Sequence, residues 1–262
     1  MKRLLILAIL LTSSLLAKEI VLGVVPQQSP LKLSKKWIKV TNYLYSQTGI
    51  KVVFKKQRSI PKFEEELYAG NYDIAYMNPY HFIVANQKQN YEAFTRAKKN
   101  IVGILLAKEK SVNFDSENLK GKTFLFPAPN AFAATLLPKF ELKQKYGFNI
   151  DEEAKVMYVN SHDSVYKGIA RDIGYLGGGI IRTFNNFNGK KDKGKINIVY
   201  KTNPYPSHPI AAHPRVSKEV VKKLQDAFLT MPNDIKKILS IKAFKVTSSA
   251  EFDVIKQIGV KK

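Results

Sequence analysis

Short apolar strands alternate with amphipathic helices along this chain, and that alternation limits its fold more than any other feature of the sequence. In the first helical segment, Leu33, Trp37 and Val40 recur at helical spacing. The first strands are predicted at residues 19–25, 50–54 and 72–77, and the first helices at residues 31–47, 59–69 and 80–89. Strands and helices at this spacing predict βαβ units and a mostly parallel sheet, which places the chain in the α/β class.

The middle of the chain repeats the alternation, and the end of the chain returns to the first sheet. Helices are predicted at residues 131–146, 162–170 and 180–187, and strands at 155–159, 174–177, 196–200 and 209–213. We therefore expect two α/β lobes: residues 18–106 and 203–262 form the first, and residues 107–202 the second. Hinges are expected near Ala107 and Tyr200, with the ligand in the cleft between the lobes, where helix N-termini and strand ends meet.

The first seventeen residues have the pattern of a secretory signal peptide. Lys2 and Arg3 form a positive n-region, residues 4–11 form an apolar segment too short to span a bilayer, and a small-residue segment ends at Ala17. Cleavage after Ala17 would leave Lys18 as the first residue of the mature protein. Because the chain has no cysteine, it is not expected to be a lipoprotein. We therefore expect a soluble periplasmic protein, and the alternative is an uncleaved membrane anchor.

The chain is strongly basic, with 43 Lys and Arg against 21 Asp and Glu. Most of its lysines are scattered in pairs and form no arginine-rich recognition helix, so a solvated surface explains them better than nucleic acid does. The absence of cysteine excludes disulfides and thiolate metal sites. His208 and His213, five residues apart, face opposite sides of a predicted strand and cannot share a metal. We therefore expect no metal, no cofactor and no nucleic-acid partner.

Residues 123–140 contain a strand, a turn with two prolines and the start of a helix. The run from Thr123 to Phe126 is apolar, Pro127 and Pro129 close it, and Asn130 is predicted to cap the helix that follows. A helix N-terminus in a cleft presents unpaired backbone N–H groups and the positive end of the helix dipole, which suit an anion. An ordinary strand-turn-helix corner gives the same pattern, so this stretch alone leaves both interpretations open.

Five segments of the chain stand in an order and spacing typical of one family. They are Leu22-Gly23-Val24-Val25-Pro26, Asp73-Ile74-Ala75-Tyr76, residues 127–138, Ser161-His162-Asp163-Ser164, and residues 208–214. Together they resemble the bacterial solute-binding proteins for phosphate, phosphite and phosphonate that serve ABC importers, the PhnD-like family. The resemblance covers essentially the whole mature chain. It implies the periplasmic binding protein type II fold, with two α/β lobes, a hinge and an interlobe ligand cleft.

The resemblance also implies where the ligand binds and where this chain departs from the family. Family members that bind phosphonate open the helix after the double-proline turn with a Ser-Thr-Ser run, whose hydroxyls and N–H groups hold the oxyanion. Ala131-Phe132-Ala133 stands there in this chain. Three hydroxyl donors are therefore absent, at about 1 to 3 kcal/mol for each lost bond to a charged oxygen, whereas the backbone donors remain. The family's carboxylate that meets a ligand ammonium falls at Tyr175, so an acidic partner for an amine is missing.

The predicted ligand site combines residues of both lobes. It contains Asn130, Ala131, Phe132, Ala133, His162, Asp163 and Tyr175 from the second lobe, and Gln28, Met77, Asn78 and Tyr80 from the first. Core packing is the alternative for Phe132 and Met77, a helix cap for Asn130, and a surface position for His162. We expect a small anion of the phosphate, phosphite or phosphonate type, or a relative; the alternative is a less polar solute stacked on Phe132.

The leading functional hypothesis is a non-enzymatic, monomeric solute-binding protein that delivers its ligand to an ABC permease in the inner membrane. The alternative is a ligand-sensing periplasmic partner of a membrane histidine kinase or chemoreceptor, which would have the same fold. An enzyme is not expected. Ser161, His162 and Asp163 are adjacent, which scatters their side chains instead of aligning a catalytic triad. The run of three glycines at residues 177–179 lacks the lysine and the spacing of a phosphate-binding loop.

Overall fold

The computed structural model describes residues 19–258, which form eleven strands and their connecting helices. The predicted signal peptide lies outside the described residues. The strands are β1 (Ile20–Val24), β2 (Val52–Lys55), β3 (Ile74–Tyr76), β4 (Glu92–Ala97), β5 (Gly103–Ala107), β6 (Thr123–Phe126), β7 (Lys155–Tyr158), β8 (Leu176–Ile180), β9 (Asn197–Lys201), β10 (Pro209–Ala212) and β11 (Phe244–Val246). The α-helices are α1 (Pro30–Thr48), α2 (Ile60–Tyr68), α3 (Pro79–Gln89), α4 (Ser116–Leu119), α5 (Leu137–Tyr146), α6 (Ile150–Glu153), α7 (His162–Ala170), α8 (Ile181–Asn185), α9 (Lys190–Lys193), α10 (Lys218–Leu229) and α11 (Asn233–Leu239). A π-helix covers Phe132–Leu136, and a 3-10 helix covers Ser249–Ile255.

The strands form two mixed sheets, one in each lobe. The first sheet has the order β11-β4-β10-β3-β1-β2, and the second has the order β7-β6-β8-β5-β9. Parallel pairs join β1 to β2 and β3, and β6 to β7 and β8, whereas β4, β5, β9, β10 and β11 make antiparallel pairs. The prediction of a mostly parallel sheet is therefore wrong. The reason is that β5 and β10 each follow a crossing between the lobes, so they start at the cleft and run against the strands that end there.

Two neighbouring segments, residues 98–102 and 202–208, connect the lobes. They pair with each other through an antiparallel bridge between Ile101 and Tyr205, whose two N–O distances are 2.8 and 3.0 Å. The predicted boundary after residue 106 falls one strand too late, because β5 already belongs to the second sheet. The second crossing begins close to the predicted hinge at Tyr200.

The apolar cores explain why the two lobes meet closely. The core of the first lobe extends across the cleft and includes Phe132, Ala133 and Ala134 of the second lobe. The predicted helix 162–170 is confirmed residue for residue as α7, and the predicted helix 31–47 is confirmed to within one residue at each end as α1. Within residues 19–258, no helix has both the length and the apolar character needed to cross a membrane.

Candidate ligand site between the two lobes

The segment that follows β6 enters the middle of the cleft as a π-helix. Ala131 has an extended backbone (φ −72°, ψ 95°), and residues Phe132–Leu136 then form the π turn that continues into α5. The predicted helix 131–146 is found, but the prediction that Asn130 caps it is wrong. The capping position is Ala131, which has no capping side chain, because the wider turn starts one residue later. Single π turns of this kind are frequent at functional sites.

Three backbone N–H groups at the start of this π-helix have no acceptor in the described part of the chain. The N–H groups of Thr135 and Leu136 both donate to the Ala131 carbonyl, at 2.7 and 3.3 Å. No oxygen within residues 19–258 accepts from the N–H groups of Phe132, Ala133 or Ala134. These three residues are buried, and a buried donor without a partner is costly. An oxyanion would supply several acceptors to this turn at once.

Two glycines allow the π-helix to lie directly on the second sheet. A Cβ on Gly178 of β8 would be 1.8 Å from the Ala134 carbonyl oxygen, and a Cβ on Gly103 of β5 would be 2.0 Å from the Ala133 carbonyl oxygen. Both distances are far below any real contact, so the missing side chains set how close the turn comes to the sheet. Gly178 and Gly103 therefore form the packing surface for the turn that carries the N–H groups, whereas Gly177 and Gly179 face side chains of α7.

A small cavity lies beside these N–H groups, between the lobes. Its volume is about 10 Å³, close to the minimum that holds one water molecule. It is lined by Ala131, Phe132, Ala133, Ala134, His162 and Ile180 from the second lobe, Val25, Gln27, Ile60 and Asn78 from the first, and His208 from the second crossing. Phe132 is only 1% exposed and meets the Tyr205 ring edge to face, with centroids 5.9 Å apart. Its phenyl ring therefore occupies space next to the cavity.

Two buried histidines line the same cavity, each with a ring nitrogen that lacks a partner. His162 is the first residue of α7, and His208 ends the second crossing. The Nδ1 atom of each has no hydrogen-bond partner among residues 19–258, while Nε2 of His208 lies 3.0 Å from Nε2 of Gln27. Burial lowers the pKa of His162 to about 4 and that of His208 well below its usual value. Both rings are therefore neutral at neutral pH, and each offers one N–H donor and one acceptor.

Polar bonds across the cleft hold the lobes in a closed arrangement. One donor is an amide, one is an ammonium group and one is a guanidinium group. Asn78 Nδ2 donates to the Asn130 carbonyl at 3.0 Å, Lys32 Nζ lies 2.7 Å from Asp163 Oδ2, and Arg182 Nη2 donates to Tyr76 Oη at 2.9 Å and to Gln27 Oε1 at 3.3 Å.

Most of the predicted site residues lie around the cleft, but not all of them line the cavity. Ala131, Phe132, Ala133, His162 and Asn78 line it, and the Asn130 carbonyl lies at its edge through the bond to Asn78. Asp163 pairs with Lys32 across the cleft, and Gln28 lines a second pocket described below. Met77 and Tyr80 flank the region without lining the cavity. Met77 is fully buried core, and the Tyr80 ring packs edge to face on His81.

Tyr175 lies outside the site, and its prediction as a pocket residue is wrong. Its N–H donates to the carbonyl of Thr123, where β6 begins, and Lys122 Nζ lies 5.1 Å above its ring. Ile180, at the other end of β8, is the residue that lines the cavity, which places Tyr175 roughly 16 Å away along the strand. The predicted strand at 174–177 starts two residues and ends three residues too early, because the glycines at 177–179 form the middle of β8.

Three residues around the cleft, Gln27, Arg182 and His208, are absent from the set predicted from the sequence. Gln27 lies three residues after the end of β1, beside the predicted residue Gln28. His208 opens one of the segments that carry the family resemblance, and this position is the signal that identifies it. Arg182 had a weaker signal, since it stands near the start of a predicted helix that follows a strand. A rule that strand ends face the cleft would have selected Gln27 and Arg182.

Folding stability is expected to fall as the pH decreases from about 6.5 to 4. Unfolded His162 takes up a proton near pH 6.5, whereas the folded chain resists protonation until the pKa of about 4, so the stability that this residue contributes above pH 6.5 is lost in between. The difference is about 3 kcal/mol. Urea unfolding at pH 7, 5.5 and 4 should therefore show a smaller loss for His162→Gln than for the wild type.

The control for this experiment is His213→Gln, since His213 is more exposed and lies outside the cavity. Burial also lowers the pKa of His213, but this side chain is less completely buried than His162, so the variant should lose a smaller part of the wild-type pH dependence than His162→Gln does. Equal pH dependence of the wild type and His162→Gln would contradict the assignment of the effect to His162.

Known proteins share the family and the fold of this chain. Residues 22–253 match the family described as ABC transporter, phosphonate, periplasmic substrate-binding protein. The chain is 24% identical over 233 residues to the phosphate-import protein PhnD of Mycolicibacterium smegmatis, an alignment that covers 80% of this chain and 70% of that protein.

Two solved structures share the fold at low sequence identity. A binding protein component of an ABC phosphonate transporter from Pseudomonas aeruginosa has a TM-score of 0.81 and 18% identity, covering 91% of this chain and 84% of that one. PhnD1 from Prochlorococcus marinus, in complex with methylphosphonate, has a TM-score of 0.84 and 17% identity, covering 93% of this chain and 97% of that one. The predicted periplasmic binding protein type II fold is thereby confirmed. Because the family match spans nearly all of the described residues, the chain belongs to the family of periplasmic substrate-binding proteins of phosphonate ABC transporters.

Proposed function

We propose that this protein is the periplasmic solute-binding component of an ABC importer and that it binds a small oxyanion of the phosphate, phosphite or phosphonate type, or a relative. The observation that carries the proposal is the set of unpaired N–H groups of Phe132, Ala133 and Ala134 beside the interlobe cavity. Among the described residues, no carboxylate lines this cavity, so nothing there would repel an anion. Two relatives support the same ligand class: one is named a phosphate-import protein, and the structure of the other contains methylphosphonate.

The proposal includes a clamp-like motion of the two lobes. The paired crossings at residues 98–102 and 202–208 would act as the hinge, and the bonds across the cleft would form when the lobes close. The volume of about 10 Å³ leaves little room for an anion beside the Phe132 ring, so the ligand would enter an open form. Small-angle scattering with and without ligand measures this change directly.

Transport is the role that the family membership favours over sensing. The sensory alternative has less support, because the matched family is described by transport and substrate binding. A permease in the inner membrane, a monomeric state and export by the N-terminal signal sequence belong to the proposal. Co-purification with a membrane permease would test the partner.

The backbone donors can be tested with two substitutions at one position. Phe132→Ala and Phe132→Pro both remove the phenyl ring, but only proline also removes the N–H group. The extended backbone of Ala131 suits a following proline, and a helix start tolerates one. We expect calorimetry with phosphate, phosphite and methylphosphonate to give binding at least about tenfold weaker for Phe132→Pro than for Phe132→Ala, because a bond to a charged oxygen is lost.

Equal affinities of the two variants would show that the N–H group of residue 132 does not hold the ligand. If the wild-type protein binds none of the three anions, the proposed ligand class is wrong. Thermal unfolding of both variants serves as the control for correct folding.

A further inference from the structure

A second pocket lies next to the central cavity and is lined by polar and charged side chains. With a volume of about 40 Å³ it is larger than the central cavity, whose volume is about 10 Å³. We call it the outer pocket; its polar lining consists of Gln27, Gln28, Lys36, Tyr76, Arg182, Thr183, Asn186 and Ser240, and its apolar lining includes Val25, Leu33 and Trp37. Gln27 and Val25 line both cavities, so the two spaces are direct neighbours.

The outer pocket holds two cations that bond only to neutral oxygen atoms. Lys36 Nζ donates to Gln28 Oε1 at 2.9 Å, and Arg182 donates to Tyr76 Oη and Gln27 Oε1. Within residues 19–258, neither cation forms an ion pair with a carboxylate. Asp163, a carboxylate close enough to act on the charge of Lys36, is already paired with Lys32 at 2.7 Å.

The two charges oppose each other, which makes their placement costly without an anion. Lys36 is partly buried. Its pKa is lowered mainly by burial and, to a smaller extent, by repulsion from Arg182. The Nε and Nη1 groups of Arg182 have no hydrogen-bond partner among the described residues. A guanidinium group with unused donors beside an ammonium group is a suitable site for a carboxylate or a phosphoryl group.

A purely structural role of Arg182 explains only part of this arrangement. Its bonds to Tyr76 and Gln27 cross the cleft and would stabilise the closed form. That role gives no reason for a second, partly buried cation beside it, since Lys36 makes no bond across the cleft. Closing the cleft brings these two cations together. An anion between them would attract both, and that attraction would offset the repulsion between Lys36 and Arg182.

We infer that the outer pocket binds a second anionic group of the ligand whose first group is held by the N–H groups of residues 132–134. The inference rests on the proposed function and narrows the ligand class to small solutes with two anionic groups, such as a phosphonate that also carries a carboxylate. Gln27 lies between the two groups, since it lines both cavities and accepts from Arg182. An amino group is disfavoured in the outer pocket, because Lys36 and Arg182 would repel it.

Calorimetry with three matched probes tests the inference: methylphosphonate, phosphonoacetate and 2-aminoethylphosphonate. We expect phosphonoacetate to bind at least about tenfold more tightly than methylphosphonate, because it gains charge-assisted hydrogen bonds, and 2-aminoethylphosphonate to bind more weakly than both. The quantity compared is the ratio of the dissociation constants of methylphosphonate and phosphonoacetate. Arg182→Gln and Lys36→Gln should each reduce this ratio several-fold.

The ratio separates a ligand site from a structural bond across the cleft. If Arg182 only holds the lobes closed, its loss would weaken the binding of methylphosphonate and of phosphonoacetate by the same factor. The ratio of their dissociation constants would then stay unchanged, and that result would overturn the inference. Lys35→Gln and Lys39→Gln, at exposed positions of α1, make the same charge change and should keep the wild-type ratio. If the wild type binds methylphosphonate and phosphonoacetate equally well, the inference fails and the proposed function stands; if it binds neither, the proposed function itself fails.

Discussion

Replacing Phe132 with serine is expected to raise the affinity for phosphate and methylphosphonate by at least about tenfold, since a hydrogen bond to a charged oxygen contributes about 1.5 to 3 kcal/mol. Serine would place a hydroxyl donor beside the N–H groups of residues 132–134, at the position where the family carries its hydroxyl run. It would also remove the ring that now limits the cavity to about 10 Å³. Both changes favour an anion, because one adds a donor and the other adds room.

The same substitution is expected to lower folding stability. Phe132 is 1% exposed, packs against Tyr205 and belongs to the core of the first lobe. Truncation of a buried phenylalanine costs about 3 to 5 kcal/mol, and less where water or ligand fills the space. Thermal unfolding should therefore show a lower melting temperature without ligand and a larger increase on adding phosphate than the wild type shows.

Phe132→Ala is the matched control, because it removes the ring without adding a hydroxyl. Calorimetry of the wild type, Phe132→Ala and Phe132→Ser separates the effect of space from the effect of the donor. If Phe132→Ser binds phosphate no more tightly than the wild type does, the side chain of residue 132 does not face the ligand.

The elements that sequence analysis predicted well are those whose signals are local. The spacing of Leu33, Trp37 and Val40 identified α1, and Ser161 at the start of α7 accepts a hydrogen bond from the Ser164 N–H, as a capping serine should. The mixed sheets were not predictable in this way. The direction of β5 and β10 depends on where the chain crosses between the lobes. The spacing of apolar residues along the sequence does not indicate where these crossings occur.

The predicted residues that line the cavity have either a local signal or a place in the family resemblance. The helix start at residues 131–133 and Asn78 stand at the ends of predicted elements, and His162 stands in a segment that carries the resemblance. Arg182 and His208 were missed because their partner Gln27 lies 155 and 181 residues away along the chain. The prediction of Tyr175 rests on the family resemblance, whereas β8 reaches the cavity only at Ile180, five residues further along the chain.

The close approach of the π-helix to β8 leads to the second large effect, expected for Gly178→Ala. The added Cβ would be 1.8 Å from the Ala134 carbonyl oxygen and 2.5 Å from the Phe126 ring. The carbonyl belongs to the backbone of the turn that carries the three N–H groups, so it can move only if the turn moves. The substitution should therefore lift residues 132–134 away from the sheet and weaken anion binding together with folding.

We expect Gly178→Ala to lose about 1 to 3 kcal/mol of unfolding free energy or more, as overpacked cores do. Gly194→Ala is the matched control, because Gly194 has a helical φ of −69° and a Cβ there would be 3.6 Å from its nearest neighbour, the Lys190 carbonyl oxygen. That variant should stay within about 0.5 kcal/mol of the wild type. Urea unfolding and phosphate calorimetry of both variants measure the two effects. Wild-type stability and affinity in Gly178→Ala would mean that the N–H groups do not depend on the glycine surface of β8 for their position.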